Sequence, residues 1–139
     1  MYDATKPEQP IIYGNPACES MTGYRRQEIL GKNCRFLYGS DTDTAAVEII
    51  RQALQTESEC KVILKNYRKD GTVFWNCFSI SPVRDRTGKL THFIGVQRDI
   101  TDRKKAEEAL QNSEAQSRKQ SAQLAAALDE LKATHSQLV

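Results

Sequence analysis

The stretch Cys60-Lys61-Val62-Ile63-Leu64-Lys65-Asn66-Tyr67, then Arg68-Lys69-Asp70-Gly71, then Val73-Phe74-Trp75-Asn76-Cys77-Phe78-Ser79-Ile80-Ser81-Pro82, decides the fold. Both flanking runs are rich in β-branched and aromatic residues and change character every second position, the pattern of strands with one buried face. The polar turn ending in Gly71 joins them as a hairpin. Alternation puts Val62, Leu64 and Asn66 on one face of the first strand, and Phe74, Asn76, Phe78 and Ile80 on one face of the second. A further turn, Asp85-Arg86-Thr87-Gly88, leads into a last strand from Leu90 to Arg98, where Phe93, Gly95 and Gln97 share a face.

Upstream, the chain reads as small helices. Pro10 to Gly14 reads as a short strand, and Pro16 to Met21 as a short helix closed by Thr22-Gly23-Tyr24. Arg26 to Leu30 forms a helical turn ending at Gly31, a fitting C-cap. Thr44 to Gln55 carries Ala46, Val47, Ile50 and Leu54 at helical spacing behind the capping residue Asp43. A strand, small helices and then antiparallel strands make an α+β domain whose sheet has its helices on one face.

Composition changes sharply at Asp99-Ile100-Thr101. The residues beyond contain no Gly, Pro or aromatic and are dominated by Ala, Glu, Gln, Lys and Leu, so they read as one long helix capped by Asp99 or Thr101. Leu110, Ser117, Leu124, Leu131 and Leu138 recur at heptad spacing, with Glu114, Ser121, Leu128 and His135 in the second seam position. This is a coiled-coil pattern, strongest from Leu124 onward, and it favours a parallel homodimer. Two segments result: a globular domain over 1–100 and a helical linker over 101–139. A coiled seam holding Ser and Gln is only moderately stable, which suits a helix that changes state.

The 139 residues leave room for one compact domain plus that helix. A net charge of +2 without a basic block gives no argument for nucleic acid. No stretch is apolar for long enough to cross a bilayer, and no signal-peptide pattern opens the chain, so a cytoplasmic location is expected. Met1-Tyr2-Asp3 runs almost directly into structure, as in a shortened piece of a longer protein. The four cysteines, Cys18, Cys34, Cys60 and Cys77, form no Cys-x-x-Cys pair and lie far from His92 and His135, which argues against zinc and against a disulfide framework.

Each inward strand face is apolar except for one carboxamide: Asn66, Asn76 and Gln97. An unpartnered buried amide costs roughly 1–3 kcal/mol. Taken singly, each amide is explained by bonds to neighbours, backbone or buried water. Three on adjacent strands, with Gly95 giving close access, make a bound ligand a competing explanation. The ligand implied is flat, largely apolar and edged with donors and acceptors, as a heteroaromatic ring is.

The segment Gly31-Lys32-Asn33-Cys34-Arg35-Phe36-Leu37 resembles the flavin-cysteine motif of LOV (light-oxygen-voltage) domains, a branch of the PAS superfamily. Four further blocks follow in the family's order: Asn66-Tyr67-Arg68-Lys69-Asp70-Gly71, Phe74-Trp75-Asn76, Ile80-Ser81-Pro82-Val83-Arg84-Asp85, and Phe93-Ile94-Gly95-Val96-Gln97-Arg98-Asp99. The resemblance implies a PAS-like antiparallel sheet and a flavin, usually FMN (FAD or riboflavin being alternatives), held without a covalent bond in the dark. It implies that blue light drives the Cys34 thiol to bond flavin carbon C4a reversibly while N5 gains a proton. This is a sensor's cycle rather than turnover of a substrate, so no enzyme is expected in this chain. A nearby neutral thiol supplies both sulfur and proton, so no depressed cysteine pKa is required.

By the same resemblance, Asn66 and Asn76 grip the pyrimidine edge of the ring, and Gln97 lies near N5 and O4 and reorients after light. Phe78 and Ile80 wall the ring, Arg35 and Arg51 hold the FMN phosphate, and Asn33 contacts the ribityl chain or ring edge. A guanidinium fork suits a phosphate. Tyr38 stands where the family usually has Gln, near the flavin side chain. Cys18 stands where a larger apolar group is usual. Only Tyr2-Asp3-Ala4 remains of the family's first strand, so an exposed sheet edge is expected.

The outer sheet face shows Ile63, Trp75, Cys77, Ile94 and Val96, a second candidate docking face for a homodimer. The Asp-Ile-Thr junction resembles the usual link from PAS domains to signalling helices, and the end of the tail resembles the lead-in to a sensor histidine kinase, the expected class of downstream effector. His135 lacks a flanking acidic motif and reads as a structural seam residue. Two other readings are a flavin redox sensor and a chromophore-free PAS dimerisation module.

Overall fold

A computed structural model describes residues 1–137, which divide into two compact units after Thr101. In the first, the elements in chain order are β1 (Tyr2–Asp3), α1 (Pro16–Thr22), α2 (Arg26–Ile29), a 3-10 turn (Cys34–Leu37), α3 (Thr44–Gln55), β2 (Cys60–Tyr67), β3 (Val73–Arg84) and β4 (Leu90–Asp99). The strands form one antiparallel sheet in the order β1-β4-β3-β2.

The hairpin forms where the alternation and turn chemistry place it. Asp70 Oδ1 accepts from Thr72 N at 2.9 Å, and Gly71 supplies the positive φ of 85° that the turn needs. Its register sets Val62 opposite Phe78, Leu64 opposite Asn76 and Asn66 opposite Phe74, so the predicted inward faces coincide. Across the next interface Phe78 pairs with Gln97 and Ile80 with Gly95. Val62, Leu64, Phe78, Ile80 and Phe93 are buried together with Ile29 and Cys34 and with Ala46, Ile50 and Ala53 of α3. The helices therefore cover one face of the sheet, as the pattern predicts.

Caps explain where the helices start and stop. Asn15 Oδ1 accepts from Cys18 N, Pro16 occupies the first turn of α1, and Gly23 closes it in the left-handed conformation. Asp43 caps α3 through Ala45 N at 2.9 Å. Helix α2 stops at Ile29, since Leu30 is already extended and Gly31 takes φ 84°.

The segment Pro10 to Gly14 is not a strand: only Ile11 bridges, to Tyr2. Its backbone is drawn instead to the loop after α2, with Ile11 N bonding Lys32 O and Gly31 N bonding Ile11 O, each at 2.8 Å. Strand β1 pairs Tyr2 with Phe93 and Asp3 with His92, so among the described residues no partner strand continues on that edge of β4 beyond Phe93. On the outer face, Ile63, Ile94 and Val96 are exposed, while Trp75 and Cys77 are half-buried. Lys65 Nζ lies over the Trp75 ring, 5.2 Å from its centroid.

The domain ends in a tied junction. Ile100 is buried, its N–H donates to Trp75 O at 2.9 Å, and Trp75 N donates to Thr101 Oγ1 at 3.0 Å. Asp99 Oδ1 accepts from Thr101 N at 2.9 Å, and the other oxygen pairs with Arg68 at 2.6 Å. Burial alone opposes charge on Asp99, but the bonds from Thr101 and Arg68 outweigh it and hold the carboxyl below its ordinary value.

The second unit is the helix α4, which runs Thr101–Gln137 without a buried residue. Leu110, Leu124, Leu128 and Leu131 are exposed. Leu138, the last seam position, lies outside the described residues. Such a helix gains little from intrinsic propensity alone and needs its apolar stripe covered. Among the described residues, no helix is long and apolar enough to cross a membrane.

Candidate functional site

The 3-10 turn Cys34–Leu37 positions the thiol. Asn33 caps that turn: its Oδ1 accepts from Arg35 N at 3.1 Å and lies 3.5 Å from Cys34 Sγ, while its Nδ2 donates to Glu8 O at 2.7 Å. The Asn33 side chain is thus already engaged in structure, a role the sequence reading did not assign it. Leu37 and Ile50 pack behind the turn, leaving Cys34 buried. Burial pushes the Cys34 thiol up; a hydrogen bond from the Tyr38 hydroxyl and the Arg35 charge pull the other way without overcoming it. The group is therefore a neutral thiol near pH 7, with its proton in place.

Cys34, Tyr38, Asn66, Asn76, Phe78 and Gln97 all border one small cavity of about 10 Å³. Ile80 is buried in the adjoining core and does not border it. Asn76 Nδ2 donates to Asn66 Oδ1 at 2.8 Å, and Asn66 Nδ2 makes a longer bond to Lys65 O at 3.3 Å. Two of the three amides therefore do satisfy each other in part. Asn76 Oδ1 remains buried without a partner. Such an acceptor costs roughly 1–3 kcal/mol, so its persistence here points to a donor supplied from the cavity.

A second cavity of about 380 Å³ adjoins the first and shares Cys34, Tyr38 and Ile50 with it; Asn33, Arg35 and Arg51 stand at its edge. Arg35 pairs with Glu8 at 3.1 Å and Arg51 with Glu48, and all four side chains are well exposed. Exposed pairs of this kind are worth about 0–1 kcal/mol, so neither guanidinium is firmly committed to its carboxylate.

These residues fit a flavin by chemistry: an orphan acceptor, two further carboxamides, apolar walls, a thiol, and two guanidiniums at the open end. By volume the small cavity is at the lower end of the roughly 10–15 Å³ that one water needs, far less than a flavin ring occupies.

Two contributors escaped the sequence reading. Tyr2 of β1 is buried, its ring lying over Gly95, two residues before Gln97 on β4. Gly39 leaves room for the Tyr67 ring, into which a Cβ there would run and whose hydroxyl accepts from Asp41 N at 3.0 Å. An aromatic at the first strand position was the available signal for Tyr2; a lone glycine after the Cys34 turn gave none for the second. Among the described residues no group of side chains is arranged to hold a metal ion, and all four cysteines are free thiols.

A sheet with its helices on one face, and a chemically mixed pocket between them, defines the class. The PAS domain family model matches residues 4–102, and the chain belongs to that family. Within it the chain groups with the LOV domains. It is 48% identical over 95 residues to a blue-light-activated histidine kinase of Brucella anthropi, covering 68% of this chain and 19% of that protein. It is 47% identical over 100 residues to phototropin-2 of Oryza sativa subsp. japonica, covering 72% of this chain and 11% of that protein. Among solved structures, the dark structure of the blue-light photoreceptor Aureochrome1 LOV superposes with a TM-score of 0.71 at 42% identity, over 81% of this chain and 83% of that one. The LOV domain from the Erythrobacter litoralis EL346 blue-light activated histidine kinase gives a TM-score of 0.69 at 41% identity, over 72% of this chain and 92% of that one. The chain thus spans a fifth or less of the length of those two full-length relatives.

Proposed function

We propose that this chain is the blue-light-sensing part of a signalling protein, binding a flavin non-covalently in the dark and capturing its excited state through Cys34. The observation that carries the proposal is the buried, neutral Cys34 thiol bordering the same small cavity as the orphan acceptor Asn76 Oδ1. A bound flavin supplies absorption in the blue and, when excited, an electrophilic ring carbon. Cys34 supplies the rest: its Sγ forms one bond to ring carbon C4a and its proton passes to ring N5, so no outside reductant is needed. Thermal reversal returns the proton to sulfur.

Asn66 and Asn76 present donors and acceptors to the polar ring edge, Phe78 and Ile80 give it an apolar bed, and Tyr38 closes the side nearest the thiol. Asn33 contacts the chain leading from the ring while keeping its cap. Arg35 and Arg51 at the outer rim favour FMN over riboflavin, because each exchanges a weak surface pair for a charge-assisted bond to phosphate. Gln97, opposite Phe78 on β4, answers the new proton by reorienting its carboxamide. That change reaches the helix through the last strand and the Asp99–Thr101 junction.

The leucine seam of α4 pairs with a second copy, the outer sheet face serves as an auxiliary contact, and the pair drives a downstream effector of the histidine-kinase kind. The chain itself acts as sensor, not catalyst. Its free thiols suit a reducing compartment such as the cytoplasm. Two measurements test this reading. Releasing the small molecule by denaturation and identifying it by chromatography is expected to give FMN; no flavin at all supports the chromophore-free dimerisation module. Light-minus-dark scattering and crosslinking along residues 110–137 are expected to change, and an adduct that forms with no change there refutes the helical output.

A further inference from the structure

Strand β1 contributes one side chain that nothing in the photochemical reading uses. Tyr2 sits opposite Phe93 in the sheet and is 5% exposed. Its ring crosses β4 above Gly95: a Cβ added there would stand 2.7 Å from Tyr2 Cε2 and 3.2 Å from its hydroxyl. The missing side chain at Gly95 is what lets the phenol reach along the strand toward Gln97, two residues on, with which it shares the wall of one groove.

Gln97 also stands between two cavities. One is the small cavity it shares with Cys34 and Asn76; the other is a groove of about 800 Å³ whose wall it shares with Tyr2 and Gly95. A carboxamide has a donor end and an acceptor end, so half a turn presents the opposite chemistry to every neighbour. A partner fixed as donor or as acceptor would oppose that turn. A hydroxyl does not, because it donates or accepts by rotating its own O–H.

We infer that Tyr2 is a positioning residue for Gln97: its hydroxyl holds the carboxamide in one orientation in the dark and re-bonds it after the carboxamide turns. The part concerning light rests on the proposed function above; the Tyr2–Gln97 contact itself does not. Burial, the largest influence, pushes the Tyr2 phenol far up, so the hydroxyl keeps its proton and with it both roles across the working pH range.

The experiment is a double-mutant cycle on the full chain, with Tyr2→Phe, Gln97→Leu and the pair, read by two methods. In the wild type, NMR is expected to show a contact between the Tyr2 ring protons and the Gln97 side-chain amide, and Tyr2→Phe is expected to shift that amide more than any other carboxamide. This needs no light and, in the wild type, no variant. In flavin-loaded protein, Tyr2→Phe is expected to change dark recovery by roughly three- to tenfold in the Gln97 background and by less than about twofold beside Gln97→Leu, the scale of one hydrogen bond. Absence of the wild-type contact, an unmoved Gln97 amide, or an equal kinetic effect in both backgrounds overturns the inference. A wild type that never bleaches refutes the light-sensing reading instead, and the NMR contact still decides this one.

Discussion

Replacing Asn66 and Asn76 together by valine is expected to move stability and flavin affinity in opposite directions. The two side chains are 2% and 1% exposed and share one bond of 2.8 Å, with Asn76 Oδ1 left unpartnered. Removing the orphan acceptor recovers about 1–3 kcal/mol, while losing the shared bond costs about 1 kcal/mol. The 3.3 Å bond from Asn66 to Lys65 O is long and counts for less. Valine is close to asparagine in size and favours strands, so repacking adds little cost. The net is a gain of about 1 kcal/mol, which corresponds to roughly 4–8 °C in Tm for a domain of about a hundred residues. Asn76→Val alone gains nothing, because it strands Asn66 Oδ1. Denaturation in flavin-free buffer measures the first effect. Titration with FMN measures the second, expected as a loss of roughly a hundredfold or more, since each lost bond leaves a polar ring atom facing valine. A double variant that loses stability without flavin and binds FMN as the wild type does would refute the reasoning: the amides would then be a structural network.

Three further outcomes follow from the geometry. Arg35→Ala with Arg51→Ala is expected to weaken FMN about tenfold or more by calorimetry while leaving riboflavin unchanged, the loss of charge-assisted bonds at an exposed rim; equal loss for both ligands would contradict the phosphate role. Because burial raises the Cys34 thiol, adduct yield is expected to stay level from about pH 6 to pH 9 instead of rising as an ordinary thiol ionises near 8.5. The linked stability is present below that unfolded value and is lost as pH rises through the higher folded one. Asp99→Asn is expected to cost about 1–2 kcal/mol at pH 7 through the bonds to Arg68 and Thr101. Since the folded Asp99 carboxyl lies below its ordinary value, that advantage is present above about pH 4 and disappears as pH falls through the folded pKa, which urea melts across pH would show.

The long strands were legible because their alternation is strict and their turns carry Gly71 and Gly88 at positive φ. Helix α3 was legible because Asp43 and the spacing of Ala46 and Ile50 agree. The segment around Ile11 was not, since apolar residues there satisfy a single bridge to Tyr2 and backbone bonds to the loop at Lys32. Local propensity cannot distinguish a strand from an extended loop held by tertiary bonds. Within the site, the meeting of Cys34, Asn66, Asn76, Phe78 and Gln97 follows from strand register together with the 3-10 turn, and the pattern carries the strand part of it. The bonds that Asn33 spends on its cap, and the reach of Tyr2 over Gly95, depend on side-chain paths that no periodicity encodes.

The most direct test compares the absorption of the purified chain and its Cys34→Ala variant before, during and after blue light. The account predicts a blue band in both in the dark, bleaching and thermal recovery in the wild type, and an unbleached band in the variant. A variant that bleaches and recovers as the wild type does would show that Cys34 is not the reacting thiol, and a wild type without a blue band would contradict flavin binding altogether.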